Sequence, residues 1–446
     1  MSVAQVCSGG FAVNDMRTVR GMRDVMGIEM RIRNYLVGLA VEVFELFGYE
    51  PLDSPVMELW ETLAAKGGEE VEAETFKFKD KGEREVGLRF DLTVPLARIV
   101  ATNLQLPKPF KRYAVGKAWR YDRPQAGRYR EFEQADVDIV GSDSPAADAE
   151  VVLVALEYLR RLFGTDYCIS INNRKVLRGL TETAGVEERL TYDCFRAIDK
   201  LEKIGQEGVG EELVQRGISR DASDFLLGAI DLRGNSQEVL DEFKERISKS
   251  DVGREGVSEL EVMASIFEAA GVKDHIRFDM ALARGLDYYT GPVFEGSYLG
   301  EPDVGAILGG GRYDNLIERF GGKPTPATGI SLGIGRIMDI VLAMDISKQL
   351  ASDLDVFIAP IKKPMIPPAM AFQNTLVRNG VSCEVDVMDR PLGKLFELAE
   401  SRGAKYMLIV GKRDYEKGEL SLRDMESKDT VQIRREKLVE EVKSRL

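Results

Sequence analysis

Histidine is almost absent from this chain: His275 is the only one in 446 residues. A Ser-His-Asp triad, a histidine-rich metal centre or a histidine general base would each need that one side chain. Its neighbours Lys273 and Asp274 predict a solvated loop instead. Cysteine is scarce too. Cys7, Cys168, Cys194 and Cys383 stand far apart without C-x-x-C spacing, which predicts a reduced protein without structural zinc. No apolar run approaches the ~18 residues of a membrane span and no signal peptide is visible, so a cytoplasmic protein with no membrane partner is expected. Positive charge is also short. The net charge of −13 argues against tight, unselective nucleic-acid binding, though not against a selective RNA partner reached through local basic patches. Lys108–Arg130 and Lys394–Lys417 supply two such patches. Any chemistry is left to Arg, Asp, Glu, Gln and Tyr.

What is present suits two or three domains, each able to bury its own core. Ile28, Ile32, Tyr35, Leu36, Leu39, Val43 and Leu46 recur at helical spacing up to Gly48. Tyr49–Pro55 then reads as an extended edge segment, limited by Pro51 and Pro55. Phe76–Lys79 and Glu85–Phe90 predict a hairpin around Asp80-Lys81-Gly82. Asp91-Leu92-Thr93 follows at a strand-to-helix turn, where Asp91 suits a helix cap as well as a ligand site. From about 172 to 273 the periodicity turns helical and rich in Glu and Lys, an inserted helical region. Strands return at Ile276–Ala283 and Val293–Tyr298, followed by Gly309-Gly310-Gly311, which reads as a turn or as backbone open to a ligand. Gly329–Arg336 alternates small and large residues before a helix, leaving one face nearly bare. Ser347–Asp353 is the best linker. Beyond it, strands and helices alternate through 354–446 as a self-contained mixed α/β domain.

The densest chemistry lies in one hairpin. Tyr113–Tyr121 and Tyr129–Val140 alternate as strands around a loop holding Pro124 and Gly127. Arg120 and Asp122 occupy one strand, Gln134, Asp136 and Asp138 the other. Arginine gives a flat, two-pronged grip on phosphate or carboxylate, and carboxylates and amides across the hairpin suit an ammonium or a ring nitrogen. A salt-laced surface hairpin is the plainer alternative. The run Trp119-Arg120-Tyr121-Asp122-Arg123-Pro124-Gln125-Ala126-Gly127-Arg128-Tyr129-Arg130-Glu131-Phe132 resembles motif 2 of the class II aminoacyl-tRNA synthetases, in the version of the histidyl-tRNA synthetases. Arg284-Gly285-Leu286-Asp287-Tyr288-Tyr289 is similar to the histidine-specific motif of that family. Gly309–Asp314 resembles its second specific element, Gly329–Arg336 its motif 3, and Ile28–Pro55 motif 1, which builds a dimer interface.

The resemblance implies an α+β fold. An antiparallel-sheet catalytic core would span 1–346 and carry the helical insertion; a C-terminal mixed α/β anticodon-binding domain would span 354–446. It implies a ligase that joins L-histidine and ATP into histidyl-adenylate, with Mg²⁺ accompanying the nucleotide, and passes histidine to tRNA(His) as a homodimer. Arg120, Arg284 and Arg336 would be catalytic. Histidine would meet Asp91, Leu92, Thr93, Arg120, Gln134, Asp138, Arg284, Tyr288, Tyr289 and Tyr313; ATP would meet Arg120, Asp122 and Arg336. Three departures stand out. Asp122 replaces the usual Glu, Gly335 the usual acidic residue before the motif 3 arginine, and Asp91 and Asp138 the Glu of bacterial members. A catalytically inactive histidine-binding regulatory paralogue is the alternative; such paralogues typically lose the catalytic arginines and the C-terminal domain, which this chain keeps.

Overall fold

The computed structural model describes residues 17–65, 69–123, 129–235, 237–283, 288–344 and 354–446, without the side chains of 69, 70 and 202. Arg284–Asp287, the hairpin loop Pro124–Arg128 and the expected linker Ser347–Asp353 lie outside the described residues. The chain forms two compact units. One runs through Ile340 apart from Gly27–Ile32; the other comprises Val341–Leu446 with that short segment.

Helix Ile28–Leu46, which belongs to the first unit from Arg33 onward, buries Ile32, Leu36, Ala40, Val43 and Phe44. The expected stripe is therefore rotated: Leu46 is 65% exposed, and Ala40 and Phe44 take core places. Gly48, at φ +77°, reverses the chain at the helix end. The strands follow in order: β1 Glu50–Pro51, β2 Met57–Leu59, β3 Lys77–Lys79, β4 Glu85–Leu88, β5 Phe110–Trp119, β6 Glu131–Val140, β7 Tyr167–Asn173, β8 Arg233–Gly234, β9 Ile276–Asp279, β10 Pro292–Tyr298, β11 Ala306–Arg312 and β12 Ala327–Gly333. β2, β4 and β3 form a small sheet, with β3 and β4 making the expected hairpin. The rest form one nine-stranded sheet in the order β1-β5-β6-β12-β11-β10-β7-β9-β8. Its central pairs are antiparallel, with β1 on β5 and β7 on β9 parallel. β1 is an edge strand, as suits its Pro51.

Strand alternation splits the large sheet into two unlike faces. One carries Val137, Ile139, Ile330, Leu332, Leu308, Phe294 and Ile171, all buried. Helices Pro145–Phe163 and Asp251–Ala269 pack on the sheet and on each other. Ser144 caps the first by accepting from Ala146 N–H at 3.2 Å. The other face is polar and glycine-rich. The helical insertion begins one residue after β7, at Arg174, and runs in several helices to Ala269, returning β8 to the sheet on the way. His275 sits in a short 3-10 turn with its ring stacked 4.3 Å from that of Tyr167, so the lone histidine is partly packed.

The second unit has β13 Val356–Pro360, β14 Cys383–Val385, β15 Tyr406–Val410, β16 Glu419–Asp424 and β17 Thr430–Arg434 in the order β14-β13-β15-β16-β17. Helices Ile366–Arg378 and Leu392–Ser401 lie between the parallel strands in sequence. Val356, Ile358 and Leu408 join one apolar cluster while Phe357, Ala359 and Met407 join another, so the central strands β13 and β15 are buried on both faces. No helix among the described residues is long and apolar enough to cross a membrane.

Candidate active site

The polar face of the nine-stranded sheet is assembled by register. Arg112 on β5 stands opposite Asp138 on β6, which stands opposite Gly329 on β12, opposite Gly311 on β11. One step along, Ala114, Asp136, Ser331 and Gly309 align; a further step aligns Gly116, Gln134 and Gly333. The Gly309–Gly311 run is thus a central strand paired on both sides, not a turn. Its bareness has a packing reason. A Cβ on Gly310 would collide with the Gly329 carbonyl, and one on Gly329 with Asp138 Oδ1. Glycine here makes room for the carboxylate.

The charges on this face are buried. Arg112 is 0% exposed, and Asp91, Asp136 and Asp138 are 3–5% exposed. Tyr313 donates its hydroxyl to Asp138 Oδ1, and Arg112 Nη2 lies 2.7 Å from Asp138 Oδ2. That ion pair lacks the direction of a hydrogen bond, since Oδ2 has no directed donor and Arg112 Nε and Nη1 have no acceptor. Arg112 Nη2 also donates to the Leu92 carbonyl at 3.1 Å. Burial raises the Asp138 carboxyl above its ordinary range, although Arg112 and Tyr313 both pull it down. Burial, with Asp138 and Asp91 nearby, pushes Asp136 up to about 7 against the pull of Arg112 and Ser331. The Tyr288 and Tyr313 hydroxyls are driven well above their usual range by burial first, so both remain proton donors.

Asp91 does cap its helix. Its Oδ1 accepts from Thr93 N–H at 3.1 Å and Val94 N–H at 2.9 Å, at the head of helix Thr93–Thr102. Capping does not remove it from the site, because its charge is felt at Asp136, Asp138 and Tyr288. Arg120 donates Nε to the Phe90 carbonyl at 3.1 Å and lies over the Phe132 ring, 5.1 Å to its centroid. Gln134 donates Nε2 to Ser331 Oγ at 2.6 Å. Tyr288 packs against Tyr289 and edge-on to Tyr313, and the Tyr289 ring fills the space where Gly311 would carry a Cβ. Asp91, Leu92, Thr93, Gln134, Asp138, Tyr288, Tyr289 and Tyr313 thus gather around one stretch of the sheet.

Two expected nucleotide contacts lie on its margins. Asp122 follows β5 and accepts from Arg130 Nε at 3.0 Å through its carbonyl. Arg336, on helix Ile334–Ala343, donates to the Ala306 carbonyl at the start of β11. Arg284 lies outside the described residues. The structure adds side chains to which the sequence reading gave no role: Arg112, Ser331 and Arg89, whose guanidinium lies over Gly116 and donates to the Lys117 carbonyl at 2.8 Å. Counting back equally along both strands from the hairpin loop pairs Arg112 with Asp138, so the first of these was within reach. Among the described residues no group of three or more His, Cys, Asp or Glu could hold a metal ion.

Known proteins resemble this chain over nearly its whole length. A family model described as histidyl-tRNA synthetase matches residues 21–337, and one described as anticodon binding domain matches 355–445. The histidine–tRNA ligase of Pyrococcus horikoshii is 38% identical over 429 residues, covering 96% of this chain and 99% of its own. That of Aeropyrum pernix is 40% identical, covering 91% and 93%. The crystal structure of histidyl-tRNA synthetase from Nostoc sp. PCC 7120 superposes with a TM-score of 0.83 at 30% identity, covering 97% of this chain and 100% of that one.

Proposed function

The chain belongs to the histidyl-tRNA synthetase family, and from that premise we propose how its residues divide the work. The protein is a histidine–tRNA ligase. It activates L-histidine with ATP to histidyl-adenylate and pyrophosphate, then passes histidine to the 3′ end of its tRNA.

Adenylation brings the amino-acid carboxylate to the α-phosphate, two anions that repel. Fixed cations therefore do most of the catalysis, because negative charge grows on the phosphate oxygens as attack proceeds. In our reading Arg120 grips carboxylate and α-phosphate from one side and Arg284 from the other. Arg336 and Asp122 hold the nucleotide. Asp138 and Tyr289 meet the two imidazole nitrogens, with Tyr288 and Tyr313 as walls, while Asp91, with Leu92 and Thr93, and Gln134 address the α-ammonium. Buried groups that must bond both ring nitrogens reject analogues lacking one. The observation that carries the pocket is the buried Asp138 between Arg112 and Tyr313. Mg²⁺ would accompany the ATP, bound mainly through its phosphates.

Residues 1–346 take both chemical steps and 354–446 the anticodon in this reading. Lys394, Arg402, Lys405 and Lys412 each face a neighbouring carboxylate, so phosphate contact by that domain would compete with its own ion pairs. A homodimer fits the exposed apolar side chains Leu46, Val56, Met57, Leu59 and Phe78, and sedimentation at micromolar concentration decides it. The cytoplasm is where tRNA and ATP are available together. No observation favours the regulatory paralogue.

Histidine-dependent ATP–pyrophosphate exchange tests the reading. Arg284→Ala should lower it about 10²–10³-fold in a folded protein, the loss expected for one transition-state contact. Near-normal exchange would remove Arg284 from the mechanism.

A further inference from the structure

Three acceptor atoms in the pocket have no directed donor, and two of them, on Asp136 and Gln134, also lack an ion-pair partner. Asp136 is 3% exposed, yet its Oδ1 has no hydrogen-bond partner. Gln134 gives its Nε2–H to Ser331 Oγ at 2.6 Å, which leaves Oε1 as a buried and unpartnered acceptor. The Ser331 hydroxyl in turn bonds the Asp136 carboxyl. Gln134 and Asp136 are alternate residues of β6 on one face, and Ser331 stands opposite Asp136 on β12. On the other side Ala114 offers only a methyl group and no side-chain donor. A buried polar group left without its bond costs about 1–3 kcal/mol. Two acceptors on one face, one of them a carboxyl, call for a ligand that is cationic and carries several N–H donors.

Resting on the histidine-activating role above, we propose that Asp136 and Gln134 jointly hold the α-ammonium of the amino-acid substrate, and that Asp136 gives up a proton to solvent as the ammonium docks. The neighbouring carboxylates already have partners, so Asp136 adds to the charge that Asp91 presents to the ammonium. Asp91 Oδ1 is held by two backbone N–H groups, and Asp138 lies between Tyr313 and Arg112. The groups facing Asp136 are Asp138 on its own strand, Arg112 on β5, Ser331 on β12, Arg89 and Asp91 in the segment after β4, and Tyr313 beyond β11. Burial and the two neighbouring carboxylates bring the empty-site carboxyl up to about 7, so near neutrality it is partly protonated. An arriving ammonium supplies the missing positive charge and favours the carboxylate. Only the proton moves; no bond of the substrate changes at this step.

Asp136→Asn removes the charge at nearly constant volume and keeps an acceptor for Ser331. In pyrophosphate exchange between pH 6 and 8.5, KM for histidine should rise about tenfold or more, as expected for a lost charged hydrogen bond. KM for ATP should hold within about twofold, because the nucleotide contacts lie elsewhere. In the natural protein KM for histidine should fall as pH rises through 7, and this step should vanish in the variant. The histidine ring titrates identically with both proteins, so their difference belongs to Asp136. Inhibition by imidazole-4-propionate, which has the ring and carboxylate but no ammonium, should not weaken in the variant. Matching pH profiles and an unchanged histidine KM would overturn the proposal while leaving histidine activation intact. Absence of exchange in the natural protein would instead sink the broader reading. Should the variant fail to fold, calorimetric titration of the natural protein with histidine at pH 7 in buffers of different ionisation enthalpy decides. Release of about half a proton per site supports the proposal; no release beyond the small share from the substrate ring overturns it.

Discussion

The two large sheets handle charge in opposite ways. The central strands β13 and β15 of the C-terminal unit's five-stranded sheet are apolar on both faces, and most charged residues of that unit stand at the surface, in closed pairs such as Lys405–Asp355 at 2.9 Å and Lys394–Glu397 at 2.6 Å. The nine-stranded sheet is apolar on one face only. On the other it buries Arg112, Asp136 and Asp138 and leaves Arg112 Nε, Asp136 Oδ1 and Gln134 Oε1 without partners. Burying charge is expensive, and leaving part of it unpaired more so. A closed surface pair speaks of solubility; an incomplete buried set speaks of a ligand.

Breaking a pair in each sheet sharpens the contrast. Arg112→Met strips Asp138 of its buried counter-charge and should cost about 3–5 kcal/mol. Both tryptophans, Trp60 and Trp119, belong to the first unit, so their fluorescence during denaturant unfolding follows that unit alone. A cost under about 1 kcal/mol would mean that Asp138 simply takes up a proton and Arg112 is dispensable.

A smaller effect is set by pH. The folded-state pKa of Asp136 lies above its ordinary value, so between about 4 and 7 the empty folded protein holds a proton that the unfolded chain has released. Stability should therefore fall as pH rises through this window, with a slope from this group on the order of 1 kcal/mol per pH unit. Melting curves of the natural protein and Asp136→Asn without histidine should diverge in that sense, the variant holding its stability better toward neutral pH. Parallel curves would contradict it.

The smallest effect belongs to the C-terminal sheet. Lys405→Met opens an exposed pair and should change stability by less than about 1 kcal/mol, by calorimetry. A loss of several kcal/mol would erase the distinction between the two sheets.

Much of this was legible in the residues. The strands of the charged hairpin, the turn before Thr93, the helical insertion and the order of elements after 354 follow from periods of 2 and 3.6 and from turn residues, which act over a few positions. The family motifs are equally local. Two readings shifted in the fold. Leu46, apolar and in phase, is exposed because the helix buries Ala40 and Phe44 instead. The triple glycine is a strand interior because neighbouring backbone and the Asp138 carboxyl occupy the space of its missing side chains and those of β12.

By itself the sequence determined the chemistry on offer: one histidine, few thiols, and Arg, Asp, Gln and Tyr in motifs that name a family. Only the tertiary structure decided which of these meet. Tyr313 bonds a carboxylate 175 residues away, and Gln134 a hydroxyl 197 residues away. Such pairs exist only once β6, β12 and β11 align in register, since a one-residue slip would turn every carboxylate to the apolar face. Burial, and with it the raised Asp136 carboxyl and the unpartnered acceptors, is likewise a property of the closed sheet, because desolvation depends on what surrounds a group in space rather than along the chain.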